Sequence, residues 1–336
     1  MMTNRLKGRK ATDMKYDILN GTNDKISRIV LGTDVYGSVL DAKTAVSLLD
    51  NYCEWGGNVV DTASMYGGED EHLSEKLIGK WLKEKKNRSN LFISTKGGHP
   101  RVKTMHISRL SKEEIENDMD TSLLNLGVDY VDIYWLHRDD ERLDVEDIMN
   151  TLDMLVKKGK TRYIGMSNWT HKRIEAANKY AKENNMTQII SSQIQYSIAK
   201  PIEENNDSTL VLMNDDEYEY FKNHDLSVFA FSAQAKGFFS KMAAGGVEAL
   251  SEKARHRYLS DENVGIYENA KTIAQRHGVS VGEVAISALI SNNKFQTFPI
   301  IGCKNPEQLR DTMNGGDLVL SQEECEFIMQ REQKTI

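Results

Sequence analysis

The sequence is poor in the features that would assign it to several large classes of protein. Its 336 residues include three cysteines, Cys53, Cys303 and Cys325. They are too far apart for a disulfide framework, and none has the C-x-x-C or cysteine–histidine spacing of a zinc site. A reduced, cytoplasmic setting without a structural metal is therefore expected. There are four prolines, and no Pro-, Gly- or Ser-rich linker or break in composition divides the chain, so residues 1–336 read as a single domain. Nowhere do 18 apolar residues run together, which argues against a membrane-spanning helix. The opening stretch MMTNRLKGRK is basic but leads into ATDMKYD rather than an apolar core, so it is not expected to act as a secretion signal. Positive charge is also in deficit. A net charge of −7 argues against a general nucleic-acid or anionic-membrane partner, while leaving room for a local basic patch that holds a small phosphorylated ligand. Oligomeric state is not legible.

What is present is an ordinary core-forming composition, 39% hydrophobic and 28% charged, and a repeating order of elements. Met14 to Ile18 and Lys25 to Arg28, separated by Asn20-Gly21, read as a hairpin able to plug one end of a barrel. Strands follow at Ile29 to Gly32, Asn58 to Asp61, Leu91 to Lys96, Val131 to His137, Arg162 to Asn168, Gln188 to Tyr196, Leu226 to Ser232 and Thr297 to Ile301. Between them lie helical patterns such as Ala42 to Trp55, with Ala45, Leu48, Leu49 and Tyr52 on one stripe. Ser111 to Glu114 and Ser280 to Glu283 read as capping boxes, and Asn305-Pro306 as a helix start. A long segment, Ala233 to Asp261, interrupts the pattern. Eight successive strand–helix units imply an α/β fold with an all-parallel sheet, and eight is the number that closes into a (β/α)8 TIM barrel. The rival, an open doubly wound sheet, lacks its signature: the first strand–helix turn, Gly32-Thr33-Asp34-Val35-Tyr36-Gly37, has no G-x-G-x-x-G.

In such a barrel, catalytic groups gather at the C-terminal ends of the strands. Those ends carry Asp61, Lys96 and His137, with Tyr66 on the loop after Asp61. Taken singly, each also fits a structural role: an ion pair of Lys96 with Asp61, a core histidine at His137, a lid at Tyr66. Their convergence on consecutive strands favours chemistry. If His137 points inward, so do Trp135 and Ile133; if Lys96 does, so do Ser94 and Phe92.

The segments GGNVVDTASMYG, ISTKGG and VDIYWLH strongly resemble the aldo-keto reductase superfamily, over about Ile29 to Thr312. The resemblance implies a (β/α)8 barrel that uses a nicotinamide cofactor to reduce a carbonyl, with Asp61, Tyr66, Lys96 and His137 as its catalytic tetrad. In that chemistry Tyr66 is the general acid. A phenol's ordinary pKa of about 10 is too high for efficient exchange near neutrality, and burial raises it. A lysine ammonium about 4 Å away is worth on the order of 4 kcal/mol at an effective dielectric of 20, roughly three pKa units before opposing effects. Asp61 then holds Lys96 charged and oriented, and His137 positions the carbonyl.

The same resemblance places Gly32, Thr33, Asp34 and Asp61 near the cofactor, Ser167, Asn168 and Gln193 on its carboxamide, and Phe231 on the nicotinamide ring, where tyrosine or tryptophan is more familiar. Ser232, Ala233, Gln234, Lys236 and Gly237 follow the pyrophosphate. Gly302, Lys304, Gln308 and Asp311 lie at the adenine end, where Thr312 replaces a common asparagine. Lys304 and a helix N-terminus suit the 2′-phosphate of NADPH, favoured over NADH. For a small-molecule carbonyl substrate the walls are expected from Asp34, Tyr36, His99, His137, Trp169 and Phe238. Arg138-Asp139-Asp140 reads either as a surface ion-pair cluster or as substrate contact. An alternative from another class is a cofactor-sensing regulatory subunit resembling potassium-channel β-subunits. A metal-dependent isomerase barrel needs more strand-end carboxylates and histidines than Asp61 and His137.

Overall fold

The structure is a computed structural model that describes residues 14–68 and 71–329; the basic stretch MMTNRLKGRK lies outside the described residues. Strands β1 (Tyr16–Ile18) and β2 (Lys25–Ser27) form an antiparallel hairpin. The barrel strands are β3 (Val30–Gly32), β4 (Val59–Asp61), β5 (Phe92–Gly97), β6 (Val131–Leu136), β7 (Thr161–Ser167), β8 (Ile189–Gln195), β9 (Ser227–Phe231) and β10 (Thr297–Ile301). They are parallel and adjacent in chain order, and β10 pairs with β3 to close the barrel. Around them run α1 (Ala42–Glu54), α2 (Leu73–Lys85), α3 (Lys112–Leu126), α4 (Val145–Lys157), α5 (His171–Glu183) and α6 (Asp215–Asn223). The second half adds α7 (Phe238–Gly245), α8 (Glu252–Tyr258), α9 (Asp261–His277), α10 (Val281–Ser291), α11 (Pro306–Gly315) and α12 (Gln322–Met329).

Each barrel strand is buried on both faces, so it reads as an apolar run whose alternate residues serve two cores. In β6, Tyr134 and Leu136 face the helices, in the core shared with the α1 stripe Ala45, Leu48, Leu49 and Tyr52. Ile133 and Trp135 face the barrel interior, where they meet Val30, Val59, Phe92, Phe229 and Phe298. Leu19 and Ile26 of the hairpin belong to this inner cluster, so the hairpin does plug the barrel. Trp135 needs its neighbour to be small: a Cβ on Gly165, its partner in the register, would lie 2.3 Å from the indole. The apolar filling leaves the C-terminal strand ends as the place where inward polar side chains collect.

Two expectations need correction, and one helix was not expected. Residues 233–261 are not an irregular interruption but contain α7 and α8; at eight and seven residues they are too short to display a 3.6-residue period. Helix α12 was not anticipated, although Ser321 and Glu324 cap it reciprocally, with the Glu324 N–H on Ser321 Oγ and the Ser321 N–H on Glu324 Oε2. Of the two expected capping boxes, Ser280–Glu283 is complete. At Ser111, the hydroxyl accepts from the Glu114 N–H, but the Glu114 carboxylate takes the Ser111 hydroxyl at 3.2 Å and Arg109 at 3.4 Å rather than the Ser111 N–H.

Candidate functional site

At the rim, the inward alternation of β4 and β5 brings Asp61 and Lys96 together on adjacent strands, and the tight turn after β4 returns Tyr66 over them. That turn needs glycine at 67: φ is +81°, and a Cβ would lie 2.6 Å from that of Leu73 at the start of α2. Lys96 is fully buried. Its ammonium donates to Asp61 Oδ2 at 2.5 Å, to the Thr62 carbonyl at 2.9 Å and to Tyr66 Oη at 3.1 Å. Three donors are all an ammonium has. Tyr66 Oη therefore accepts from Lys96, and its own proton is free for another acceptor. The second oxygen of Asp61 accepts from Ser94 Oγ at 2.6 Å and Gln193 Nε2 at 3.2 Å. His137, one residue beyond β6, packs its ring edge-on to Tyr66, with centroids 5.8 Å apart. Its Nδ1 is buried with no hydrogen-bond partner among the described residues. The structure thus brings Asp61, Lys96, Tyr66 and His137 together, and adds Ser94, Thr62 and the orienting bond from Gln193, which strand-end reading did not single out for this role.

Electrostatics sharpen the picture. Burial alone would lower Lys96, but the charge of Asp61, with Tyr66 and the hydrogen bonds of both, holds its ammonium above the usual lysine value. Desolvation, only partly countered by Lys96 and reinforced by Asp61, leaves the Tyr66 phenol above 10. Lys96 does not by itself bring the tyrosine toward neutrality, because desolvation outweighs its field and Asp61 adds to the rise. Burial first, then His99 and Arg138, push His137 well below the ordinary histidine value, so it is a neutral imidazole. His99, against which its ring packs at 4.8 Å, is likewise lowered to about 4, mainly by burial and Arg138.

The residues expected around a nicotinamide cofactor sit at or just beyond the C-terminal ends of β3, β4, β7, β8, β9 and β10. Gly32 is a close approach, since a Cβ there would meet Ile300 at 2.7 Å. Thr33 is buried with its hydroxyl on the Asp61 carbonyl at 2.9 Å, so its side chain ties strand ends together. Ser167 and Asn168 close β7; Asn168, at φ +58°, donates to the His137 carbonyl at 3.2 Å and accepts from the Val211 N–H at 3.2 Å. Phe231 and Ser232 are partly open at the end of β9, whereas Ala233 is buried. Asp34, Gly302, Lys304, Gln308 and Asp311 are exposed.

Two observations bear on charge at these loops. Lys236, beside Gly237, is held below the ordinary lysine range by partial burial and then by the nearby cations Arg257 and Lys253. That crowding of positive charge suits phosphate oxygens. In the turn before α11, the Gly302 N–H rests on Gln234 Oε1 and the Lys304 N–H on Gln308 Oε1, each at 3.0 Å. Both amides are thus met by neutral side-chain oxygens. Thr312 joins the same clasp, accepting from Gln234 Nε2 at 3.1 Å.

The substrate walls are narrower than expected. Tyr36, Trp169 and Phe238 are sealed in the protein body, at 1%, 0% and 0% exposure; Trp169 donates to the Arg138 carbonyl at 3.2 Å and carries the Arg173 guanidinium over its ring. Large aromatic rings on these loops gain more from burial than from lining a mouth. His99 does reach an opening, a small cleft of about 80 Å³ between the loops after β4 and β5, lined also by Ser64, Met65, His72 and Arg101. In the charged run, Asp139 pairs with Arg173 and Asp140 with Arg142, so two of its three members form ion pairs. Among the described residues no group of three or more histidine, cysteine, aspartate or glutamate side chains is placed to hold a metal, and no helix is long and apolar enough to cross a membrane.

Comparison with known proteins adds three findings. The model of the Aldo/keto reductase family matches residues 28–331. Among curated proteins, an uncharacterized oxidoreductase, YrpG, of Bacillus subtilis is 27% identical over 92% of this chain and 93% of its own. The norsolorinic acid reductase stcV of Emericella nidulans is 27% identical over 89% of this chain and 76% of its own. Among solved structures, a thermostable aldo-keto reductase, Tm1743, crystallised with the inhibitor epalrestat, has the same fold with a TM-score of 0.69, at 24% identity over 94% of this chain and 99% of that one.

Proposed function

The chain belongs to the aldo/keto reductase family and is an oxidoreductase, and from that premise we propose that it reduces an aldehyde or ketone to an alcohol with NADPH, using Tyr66 as proton donor. The observation that carries this reading is the hydrogen-bond count at Lys96: with all three donors used and one of them on Tyr66 Oη, the phenol proton is left for a substrate oxygen. When bound, the reduced nicotinamide supplies hydride to the carbonyl carbon, and the oxygen takes its proton from Tyr66, giving alcohol and oxidised cofactor. Tyr66 sits in the field of a fixed, charged Lys96, so negative charge arising on oxygen or phenol is stabilised without reorganisation. Asp61 keeps that cation charged and aimed, and Ser94 and Gln193 keep Asp61 aimed in turn. Neutral His137 is suited to donate a hydrogen bond to the carbonyl rather than to compete for the proton. Lys236, Lys304 and the amides of Gly302 and Lys304 would hold the phosphates, Phe231 the nicotinamide face, and Ser167, Asn168 and Gln193 its carboxamide.

Tyr66→Phe keeps the ring and removes the proton. It is expected to lower kcat for aldehyde reduction by about a thousandfold or more while NADPH still binds. Stopped-flow turnover and cofactor fluorescence titration measure the two separately, and turnover within tenfold of the parent would remove Tyr66 from the mechanism.

A further inference from the structure

The charged run at the barrel mouth leaves one member over. With Asp139 held by Arg173 and Asp140 by Arg142, no carboxylate among the described residues forms an ion pair with Arg138. Its guanidinium is tethered by neutral groups instead. Nη1 donates to the His137 carbonyl at 2.9 Å and Nε to Thr209 Oγ1 at 3.3 Å. Nη2 makes no hydrogen bond to the described residues and is not among the atoms sealed from solvent. The backbone is pinned as well, since the Arg138 carbonyl accepts from Trp169 Nε1 at 3.2 Å.

This cation stands beside the reactive groups. Its charge helps hold both His99 and His137 neutral. A planar, partly desolvated guanidinium with an open edge and no counter-ion lacks the partner that usually justifies burying it. Asp207, the acid whose charge reaches Arg138, takes the Thr209 N–H and hydroxyl on its Oδ1 at 2.9 and 2.7 Å. Asp207 attracts Arg138 from beyond ion-pair distance, and it would repel a second negative charge on a ligand. Arg257 offsets part of the Asp207 charge, and the flat open edge of the guanidinium matches the two oxygens of a carboxylate.

We propose that Arg138 selects carbonyl substrates that carry a carboxylate, holding that group at the mouth while the carbonyl meets Tyr66 and His137. The inference rests on the carbonyl-reductase reading above; the carboxylate takes no part in the bond changes, which remain the two-electron reduction already described.

The test compares 4-carboxybenzaldehyde with benzaldehyde as substrates of the full chain with NADPH, in the parent, Arg138→Met and Arg138→Lys. The ratio of kcat/KM for the acid to that for the neutral aldehyde is expected to fall by about tenfold or more in Arg138→Met and to recover in part in Arg138→Lys. A ratio unchanged in both variants overturns the proposal. Calorimetric titration with benzoate gives a readout free of turnover: the parent should bind it about tenfold or more tightly than Arg138→Met, and equal affinities, or no binding to the parent, also overturn it. Arg138-dependent benzoate binding in a protein that reduces neither aldehyde would support the anion site and count against the reductase reading, so the two fail separately.

Discussion

At the scale of single residues, the site combines charged and neutral forms that the isolated amino acids would not hold together. Lys96 stays charged at full burial because Asp61 is 2.5 Å away, while His99 and His137 are neutral because burial and the Arg138 charge both oppose protonation. The histidines bear on stability as well as on chemistry. In the unfolded chain His99 takes up a proton near the ordinary value of 6.5, but in the folded protein only near 4. The unfolded state therefore binds more protons across that interval, and stability is lost as pH falls from about 6.5 to about 4. Thermal unfolding followed across this range should show a falling midpoint, with a shallower fall in His99→Gln once the background common to both proteins is subtracted. Identical slopes would mean that His99 is protonated alike in both states. The convergence of these groups was legible in the residues, because Asp61, Lys96 and His137 come at the ends of three consecutive strands, with Tyr66 on the loop after the first. The buried state of Tyr36, Trp169 and Phe238 was not, since a loop aromatic looks the same in sequence whether it lines a mouth or fills a body.

At the scale of elements, α11 shows how local signals become a binding feature. Asn305 caps it through the Gln308 N–H at 2.9 Å, with Pro306 opening its first turn, both readable from the sequence. What sequence could not show is that Gln234, arriving from the loop after β9, places its amide oxygen on the Gly302 N–H and its NH2 group on Thr312. The turn is therefore shared between two strand–helix units. If its exposed Lys304 reads the 2′-phosphate, Lys304→Ala should weaken NADPH by roughly fivefold, on the order of 1 kcal/mol, and leave NADH nearly unaffected. Dissociation constants for the two cofactors, measured side by side, decide it, and an equal loss for both would assign Lys304 to the shared pyrophosphate or to neither. The short helices α7 and α8 make a complementary point: elements of two turns carry too little periodicity to be read, and their place is set by the packing of Phe238, Phe239, Ala254 and Tyr258 into the surrounding core.

At the scale of the whole molecule, the hairpin and the barrel are one packing unit, because Leu19 and Ile26 complete the inner cluster built around Trp135 and Phe229. Leu19 is fully buried, so Leu19→Ala should destabilise the protein by about 2–5 kcal/mol, lost apolar contact and residual cavity together. Urea unfolding measures it; a loss under about 1 kcal/mol would show that the hairpin rests on the barrel without sealing it. The sequence by itself determined the eight-unit order, the inward alternation that brings Asp61, Lys96 and His137 to one rim, and most helix starts. All of these follow from short-range periodicity and capping chemistry, which are written into neighbouring residues. Only the tertiary structure decided that Lys96 spends all three donors, that Gln193 bonds to Asp61, and that Arg138 alone in its charged run lacks a carboxylate partner. Those outcomes depend on residues tens to more than a hundred positions apart meeting at hydrogen-bond distance, and pairing at that range is settled by how the barrel closes rather than by local spacing.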